Sequence, residues 1–289
     1  MTPVDLVGVM ETGEGSGAII SPPIPPISHA RELAGSKFGS DRVPAERACS
    51  STTDARRRRH ELIDEAMSVR RPSVVWLLVL VAVTAIAVFV TLTIAVTGSS
   101  SLAFDSHAFE IAHNVRAPWL DSAARVITTL GLIATVGPAV LIGAAVLIKH
   151  HDRARAGAVL VAAALVWITV RIVKSVVNRP RPPHPLVHTS GQSYPSAHAA
   201  NSLGWLAIAI ALTVVTPTRA GRVAAIATGA LLAVLVGLSR IYLRAHYASD
   251  VLAGEALAVA MYALATIGAV AWQARRDPAS GSTDRRPLP

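Results

Sequence analysis

The chain has 289 residues, 52% of them hydrophobic, with a formal net charge of +9 and a mean hydropathy of +0.48. Long apolar runs exclude an ordinary soluble domain over most of the length, and the arginines flank those runs as membrane topology requires, so the charge does not point to nucleic acid. The one cysteine, Cys49, excludes an internal disulfide, and no Cys/His spacing resembles a zinc site.

The first 70 residues are rich in Pro, Gly, Ser and Arg, with stretches such as "SPPIPPIS" and "GEGSG". So little apolar surface cannot offset the entropy of ordering, which predicts a disordered tail. The segment 60–67 is a candidate short interfacial helix, and Arg56 to Arg59 are placed to touch anionic lipid or simply to anchor orientation in solvent. The first apolar run begins near residue 73, too far in and too long for a cleaved signal peptide.

Six membrane spans are predicted, at about 73–97, 121–148, 155–175, 198–215, 222–240 and 250–272. Each is near the ~20 residues that cross a hydrocarbon core of ~30 Å. The stretch 104–118 is too polar to span and reads as an amphipathic helix along the interface, with His107 and His113 as interfacial residues without chemistry. The expected organisation is a disordered cytoplasmic tail (1–70), an all-α, polytopic six-helix membrane domain (71–275) and a second disordered cytoplasmic tail (276–289).

Orientation follows from Lys and Arg in the loops. Arg56 to Arg59, Arg70, Arg71, Lys149, Arg153, Arg155, Arg219, Arg222, Arg275, Arg276, Arg285 and Arg286 all fall on one side, which predicts that side, and both termini, as cytoplasmic. The opposite side should be poor in cations. Arg116 is an exception in its first loop, and the other two outer loops hold Lys174, Arg179 and Arg181, and Arg240 and Arg244. Charge against the topology rule is a functional candidate by default.

Three stretches carry that charge. In "KSVVNRPRPP", Lys174 ends a span and Arg181 follows in a proline-stiffened segment, so a rigid turn can bring both cations to one point. Arg presents a fork suited to phosphate oxygens, and Lys a compact charge. In "SYPSAHAANSLGW", Ser196 precedes an apolar helix whose amino terminus suits an anion; it either caps that helix or offers its hydroxyl to a ligand. His198, in the first turn, is placed to donate a proton. In "SRIYLRAHYASD", His246 and Asp250 are spaced to share a helical face. A carboxylate on one ring nitrogen fixes the tautomer and makes the other nitrogen more basic, which a histidine nucleophile needs.

The chain resembles the type 2 phosphatidic acid phosphatase superfamily over roughly 73–272, on three motifs in order: Lys174, Arg181 and Pro182; Pro195-Ser196-Ala197-His198; and Ser239, Arg240, His246 and Asp250. The resemblance implies that His246 attacks phosphorus, Asp250 orients it, and His198 protonates the leaving oxygen and later serves as base for water. It also implies that Lys174, Arg181, Arg240, Ser196 and the backbone at Ala197 hold the phosphate. No cofactor or metal is implied. Ala197 stands where the family pattern has glycine, and an ordinary negative φ is expected there.

The expected activity is removal of phosphate from a lipid phosphate or pyrophosphate at the outer face of the cell membrane. Candidate substrates are a polyprenyl pyrophosphate such as undecaprenyl pyrophosphate, phosphatidic acid, phosphatidylglycerophosphate and a polyprenyl-phosphoryl sugar phosphate; the Ala, Val and Arg bias suggests a high-GC bacterium, for which the resemblance implies cell-envelope precursors. A lipid phosphotransferase using the same intermediate, and a lipid-binding or transport protein without turnover, are the rivals. Partners are then the bilayer and the lipid, with no nucleic acid. Arg179 and Arg244 read as headgroup attractors or solvated loop charges, and His184 and His188 as loop surface. Glu255 reads as a partner for a basic residue or the mark of a polar gap, and Tyr194 and Trp205 as packing or interfacial aromatics.

Overall fold

The structure, a computed structural model, describes residues 73–99 and 101–276. The predicted tails, the helix at 60–67, Arg56 to Arg59 and Cys49 lie outside the described residues. The helices are α1 (Ser73–Thr97), α2 (Ala103–Asn114), α3 (Pro118–Thr129), α4 (Ile133–Lys149), α5 (Arg153–Val177), α6 (Ala197–Ala211, followed by a 3-10 turn to Val214), α7 (Arg219–Tyr242) and α8 (Ala248–Arg276). No strand occurs among the described residues.

Their ends follow local chemistry. Asp152 accepts the Arg155 N–H at 3.1 Å and caps α5, and Thr218 accepts the Gly221 N–H at 3.0 Å and caps α7. Asn178 ends α5 in the left-handed region, with φ 49°, where a short polar side chain is tolerated. That reversal turns the chain back over the bundle end and delivers Arg179 and Arg181.

Five helices (α1, α5, α6 with its 3-10 turn, α7 and α8) are long and apolar enough to cross a membrane, and α3 with α4 makes a sixth when counted as one bent span. Large apolar side chains point outward all along them, among them Trp76, Leu80, Leu141, Val176 and Leu238, as a lipid-facing surface requires. Inside, Val166 and Val170 of α5 pack with Ala200 and Leu203 of α6, Ala233 of α7, and Leu257 and Ala258 of α8. A second cluster joins α4, α5 and α6 through Val140, Leu147, Val159 and Ala211.

The predicted span at 121–148 is broken between α3 and α4 and bends there by 48°. The break is held by α6, because Trp205 Nε1 donates to the Leu130 carbonyl at 2.9 Å. Gly131 allows the approach; a Cβ there would lie 2.6 Å from Val236 Cγ1 and 2.8 Å from the His198 carbonyl oxygen. Freed carbonyls thus find donors inside the bundle, which is what tolerates a broken helix at membrane depth.

The reading of 104–118 is corrected in part. A helix forms there, and His107 and His113 are exposed, but Asp105 is fully buried and the Phe109 ring packs on Tyr247 at 5.7 Å. The helix therefore covers the loop before α8 as well as facing outward. Arg116, the exception in the first outer loop, pairs with Asp121 at 3.3 Å, and Tyr242 donates to the same carboxylate at 2.7 Å, which ties the start of α3 to the end of α7.

Candidate active site

Consecutive spans run antiparallel, so the end of α5, the start of α6, the end of α7 and the start of α8 lie together. Those four ends carry Lys174, His198, Arg240 and Asp250, and the α7–α8 link carries His246. The starts of α6 and α8 are drawn close by the Ser196 N–H, which donates to the Asp250 carbonyl at 2.9 Å. Gly254 makes this possible, since a Cβ there would sit 2.5 Å from the Ser196 carbonyl oxygen.

His246 and Asp250 are both buried. His246 Nδ1 faces Asp250 Oδ2 at 3.5 Å and Ser193 Oγ at 3.4 Å. On the other side, Arg181 Nη1 meets Nε2 at 3.1 Å. A guanidinium can only donate, so Nε2 is the acceptor and the ring proton sits on Nδ1, facing the carboxylate. Burial, reinforced by Arg240 and Arg181 and opposed by Asp250, lowers the His246 pKa to about 3. The imidazole is therefore neutral, with its lone pair on Nε2.

Asp250 Oδ2 also accepts the Tyr247 N–H at 3.0 Å and a short hydrogen bond from the Ser193 hydroxyl. Its Oδ1 receives Arg179 Nη1 at 2.6 Å. Each carboxylate oxygen thus has assigned partners, which fixes its orientation toward the ring.

The other predicted residues surround this pair. Lys174 Nζ donates to the carbonyls of Gln192 at 2.7 Å and Ser193 at 3.2 Å. Arg181 donates from Nε to Gly191 at 2.9 Å, from Nη2 to Ser190 at 2.8 Å and from Nη1 to Ala245 at 2.7 Å. Its pKa is lowered by burial, with Asp250 acting the other way. Arg240, 5% exposed, donates to Thr128 Oγ1 at 2.8 Å, while its Nε–H is buried without a partner among the described residues. An open, buried donor of that kind suits an incoming anion. His198 is half-buried and lies within the electrostatic reach of Arg240, His246, Arg181 and Lys174.

Of the two readings of Ser196, the structure contains the cap: its hydroxyl accepts the Ala199 N–H at 3.4 Å. Ala197 opens α6 and is not among the residues with positive φ, as expected. The first amides of a helix lack an intrahelical acceptor, so this position keeps a donor at the helix end.

Two residues depart from their sequence reading. Arg179 is 3% exposed and bridges Asp105 and Asp250, so it is not a solvated loop charge. Asp105 was outside the candidate set, because the partners that tie it to the site, Arg179 and Ser249, lie far along the chain. Arg179 did carry a signal: it stands against the topology rule between an asparagine and a proline. Arg244 lies over the Phe109 ring at 4.9 Å. Tyr194 packs, fully buried, against Phe89 and is hydrogen bonded to Thr93 Oγ1 at 2.8 Å; burial raises its pKa to about 12. Glu255 lies against Gly237 of α7, where a Cβ would come within 2.6 Å of its Oε1. His184 and His188 are exposed.

Fold and site together define a helical membrane protein with a buried histidine–carboxylate pair set among cations at one bundle end. A family model described as the PAP2 superfamily matches residues 155–274. The chain is similar to phosphatidylglycerophosphatase B of Bacillus subtilis (strain 168), with 31% identity over 154 residues, covering 52% of this chain and 75% of that one. Its fold is similar to the crystal structure of a transmembrane PAP2-type phosphatidylglycerolphosphate phosphatase from Bacillus subtilis, at TM-score 0.60 and 26% identity, over 69% of this chain and 98% of that chain. Aquifex aeolicus LpxE is a weaker likeness, at TM-score 0.47 and 23% identity over 57% of this chain and 96% of that one. The chain belongs to the PAP2 superfamily. It is a multi-pass membrane phosphatase.

Proposed function

We propose that the protein hydrolyses a lipid phosphate or pyrophosphate at the outer membrane face through a phosphohistidine on His246. One observation carries the reading: the lone pair of His246 Nε2 is turned toward a cation, while Nδ1 is turned toward Asp250. That polarity is what an attack on phosphorus requires.

In the first step the substrate phosphoryl group draws Arg181 away from Nε2 and engages Lys174, Arg240 and the amides at the start of α6. Nε2 forms the N–P bond as the bond from phosphorus to the leaving oxygen breaks, and His198 gives that oxygen a proton. The ring becomes cationic, and Asp250 at Nδ1 stabilises it. In the second step water attacks phosphorus, His198 takes its proton, and the N–P bond breaks to release inorganic phosphate. The cations stabilise the charge on the equatorial oxygens in both steps.

The outward direction rests on Lys149, Arg153, Arg155, Arg219, Arg222, Arg275 and Arg276, which lie at the helix ends remote from the site. The apolar exterior and the names of the relatives favour a substrate with a lipid tail. Phosphatidylglycerophosphate, phosphatidic acid and a polyprenyl pyrophosphate such as undecaprenyl pyrophosphate are the first to offer.

The test uses purified protein in detergent with a chelator present. Phosphate is released from at least one of these lipids without an added acceptor, and acid-labile label from a radioactive phosphate donor is found on the peptide containing His246. Release that depends on a divalent ion, or full activity in His246→Ala, overturns the reading.

A further inference from the structure

We infer that Arg179 and Asp105 are positioning residues for the His246–Asp250 pair, coupling α2 to the reacting imidazole through a buried chain of charge-assisted hydrogen bonds. The inference rests on the phosphohistidine reading above and assigns work to Asp105, outside the three motifs, and to Arg179, which lies within the first motif but is not one of its defining positions.

The chain is continuous. Arg179 Nη1 donates to Asp250 Oδ1 at 2.6 Å and to Ser249 Oγ at 2.7 Å, and Nη2 donates to Asp105 Oδ2 at 3.0 Å. The Ser249 hydroxyl donates to Asp105 Oδ2 at 2.8 Å, and its N–H donates to Asp105 Oδ1 at 2.8 Å. The Leu102 N–H completes the set on Oδ2 at 3.1 Å. The guanidinium also lies over the Tyr247 ring, 4.1 Å from its centroid. Arg179, Asp105, Ser249 and Asp250 are all buried.

Two consequences follow from charge and geometry. One guanidinium stands between two carboxylates. Asp105 balances Arg179, and Asp250 keeps a net negative charge for the ring. Arg179 also holds Oδ1, which leaves Oδ2 as the oxygen facing His246 Nδ1. Without that hold only the Tyr247 N–H and the Ser193 hydroxyl on Oδ2 orient the carboxylate, and its alignment on the cationic ring of the phosphoenzyme loosens. The loss falls on the chemical step, because none of these atoms belongs to the cations around Nε2.

The experiment measures phosphate release from short-chain phosphatidic acid by the full chain in detergent, for the parent protein, Asp105→Asn, Arg179→Lys, Arg179→Gln, the Asp105→Asn/Arg179→Gln double variant and His246→Ala. Loss of a charge-assisted hydrogen bond felt mainly in the transition state lowers kcat about 10- to 100-fold in Asp105→Asn and Arg179→Gln. KM stays within about threefold of the parent value. Arg179→Lys recovers part of kcat, and the double variant is no slower than Arg179→Gln, since the two residues act in series.

A kcat for Asp105→Asn within about twofold of the parent, a loss confined to KM, or losses that multiply in the double variant overturns the inference. Unfolding midpoints are measured alongside. Should Arg179→Gln not fold, Asp105→Asn and Arg179→Lys decide by the same kcat and KM criteria. An active His246→Ala removes the phosphohistidine reading itself, whereas an inert His246→Ala beside an unaffected Asp105→Asn removes this inference alone.

Discussion

Arg181 Nη1 lies 3.1 Å from His246 Nε2. The guanidinium therefore covers the nitrogen that, in the proposed reaction, attacks phosphorus. The same side chain is held by three loop carbonyls, those of Ser190, Gly191 and Ala245.

Removing this cover exposes the ring. Acylation of His246 by an imidazole-directed reagent, followed by peptide mass spectrometry, is expected to run faster in Arg181→Gln than in the parent protein. Its kcat/KM falls by about tenfold or more, because the phosphate loses a charged fork. Equal labelling rates in the two proteins would count against the cover.

Buried and neutral, His246 makes stability depend on pH in one direction. Below about 6.5 an unfolded histidine takes up a proton. Folded His246 refuses it until its lowered pKa, about 3. In that window the unfolded state binds more protons, so stability falls as the pH drops, and above it the contribution is flat. Burial sets this most strongly, Arg240 and Arg181 add to it and Asp250 opposes it, with His198 close by. Thermal unfolding should show the parent losing stability relative to His246→Gln on acidification from pH ~6.5 toward pH ~4. A difference that stays constant over the range would show that this histidine already titrates normally.

The approach of α6 to α8 depends on a missing side chain. Gly254→Ala puts a Cβ 2.5 Å from the Ser196 carbonyl oxygen, where backbone has to shift. Such overpacking costs about 1–3 kcal/mol, and the shift moves Ser196 and His198 relative to Asp250. A lower unfolding midpoint is expected together with a larger proportional fall in kcat. An unchanged midpoint and rate would mean that the two helix ends have slack.

Topology has a direct readout in the single native thiol. Cys49 lies in the segment predicted to be cytoplasmic, and His188 is on the exposed loop beside the site. In intact cells a membrane-impermeant maleimide should label His188→Cys in a Cys49→Ser background, and should reach native Cys49 only after permeabilisation. The opposite pattern would turn the site to the cytoplasm.

Much of the architecture was legible because a bilayer simplifies the problem. Apolar length marks a span, and the alternation of spans places every second helix end on one face. Lys174, Arg181, His198, Arg240, His246 and Asp250 could thus be assigned to one bundle end from order alone. The break between α3 and α4 was not legible, since "TLGLI" holds no proline and no charged residue. What stabilises it is a pair of donors on α6, Trp205 and Asn201, which no local pattern announces.

By itself, the sequence determined the membrane class, the end of the bundle that carries the site and the chemical types gathered there, because hydropathy and helix spacing are local properties. Only the tertiary structure decided which cation serves which partner. Arg179 and Arg181 are two positions apart in one loop, yet the first is buried between Asp105 and Asp250 and the second meets His246. The cost of burying a charge depends on the partners waiting at that point, and those partners come from α2 and α8, brought together only when the helices pack.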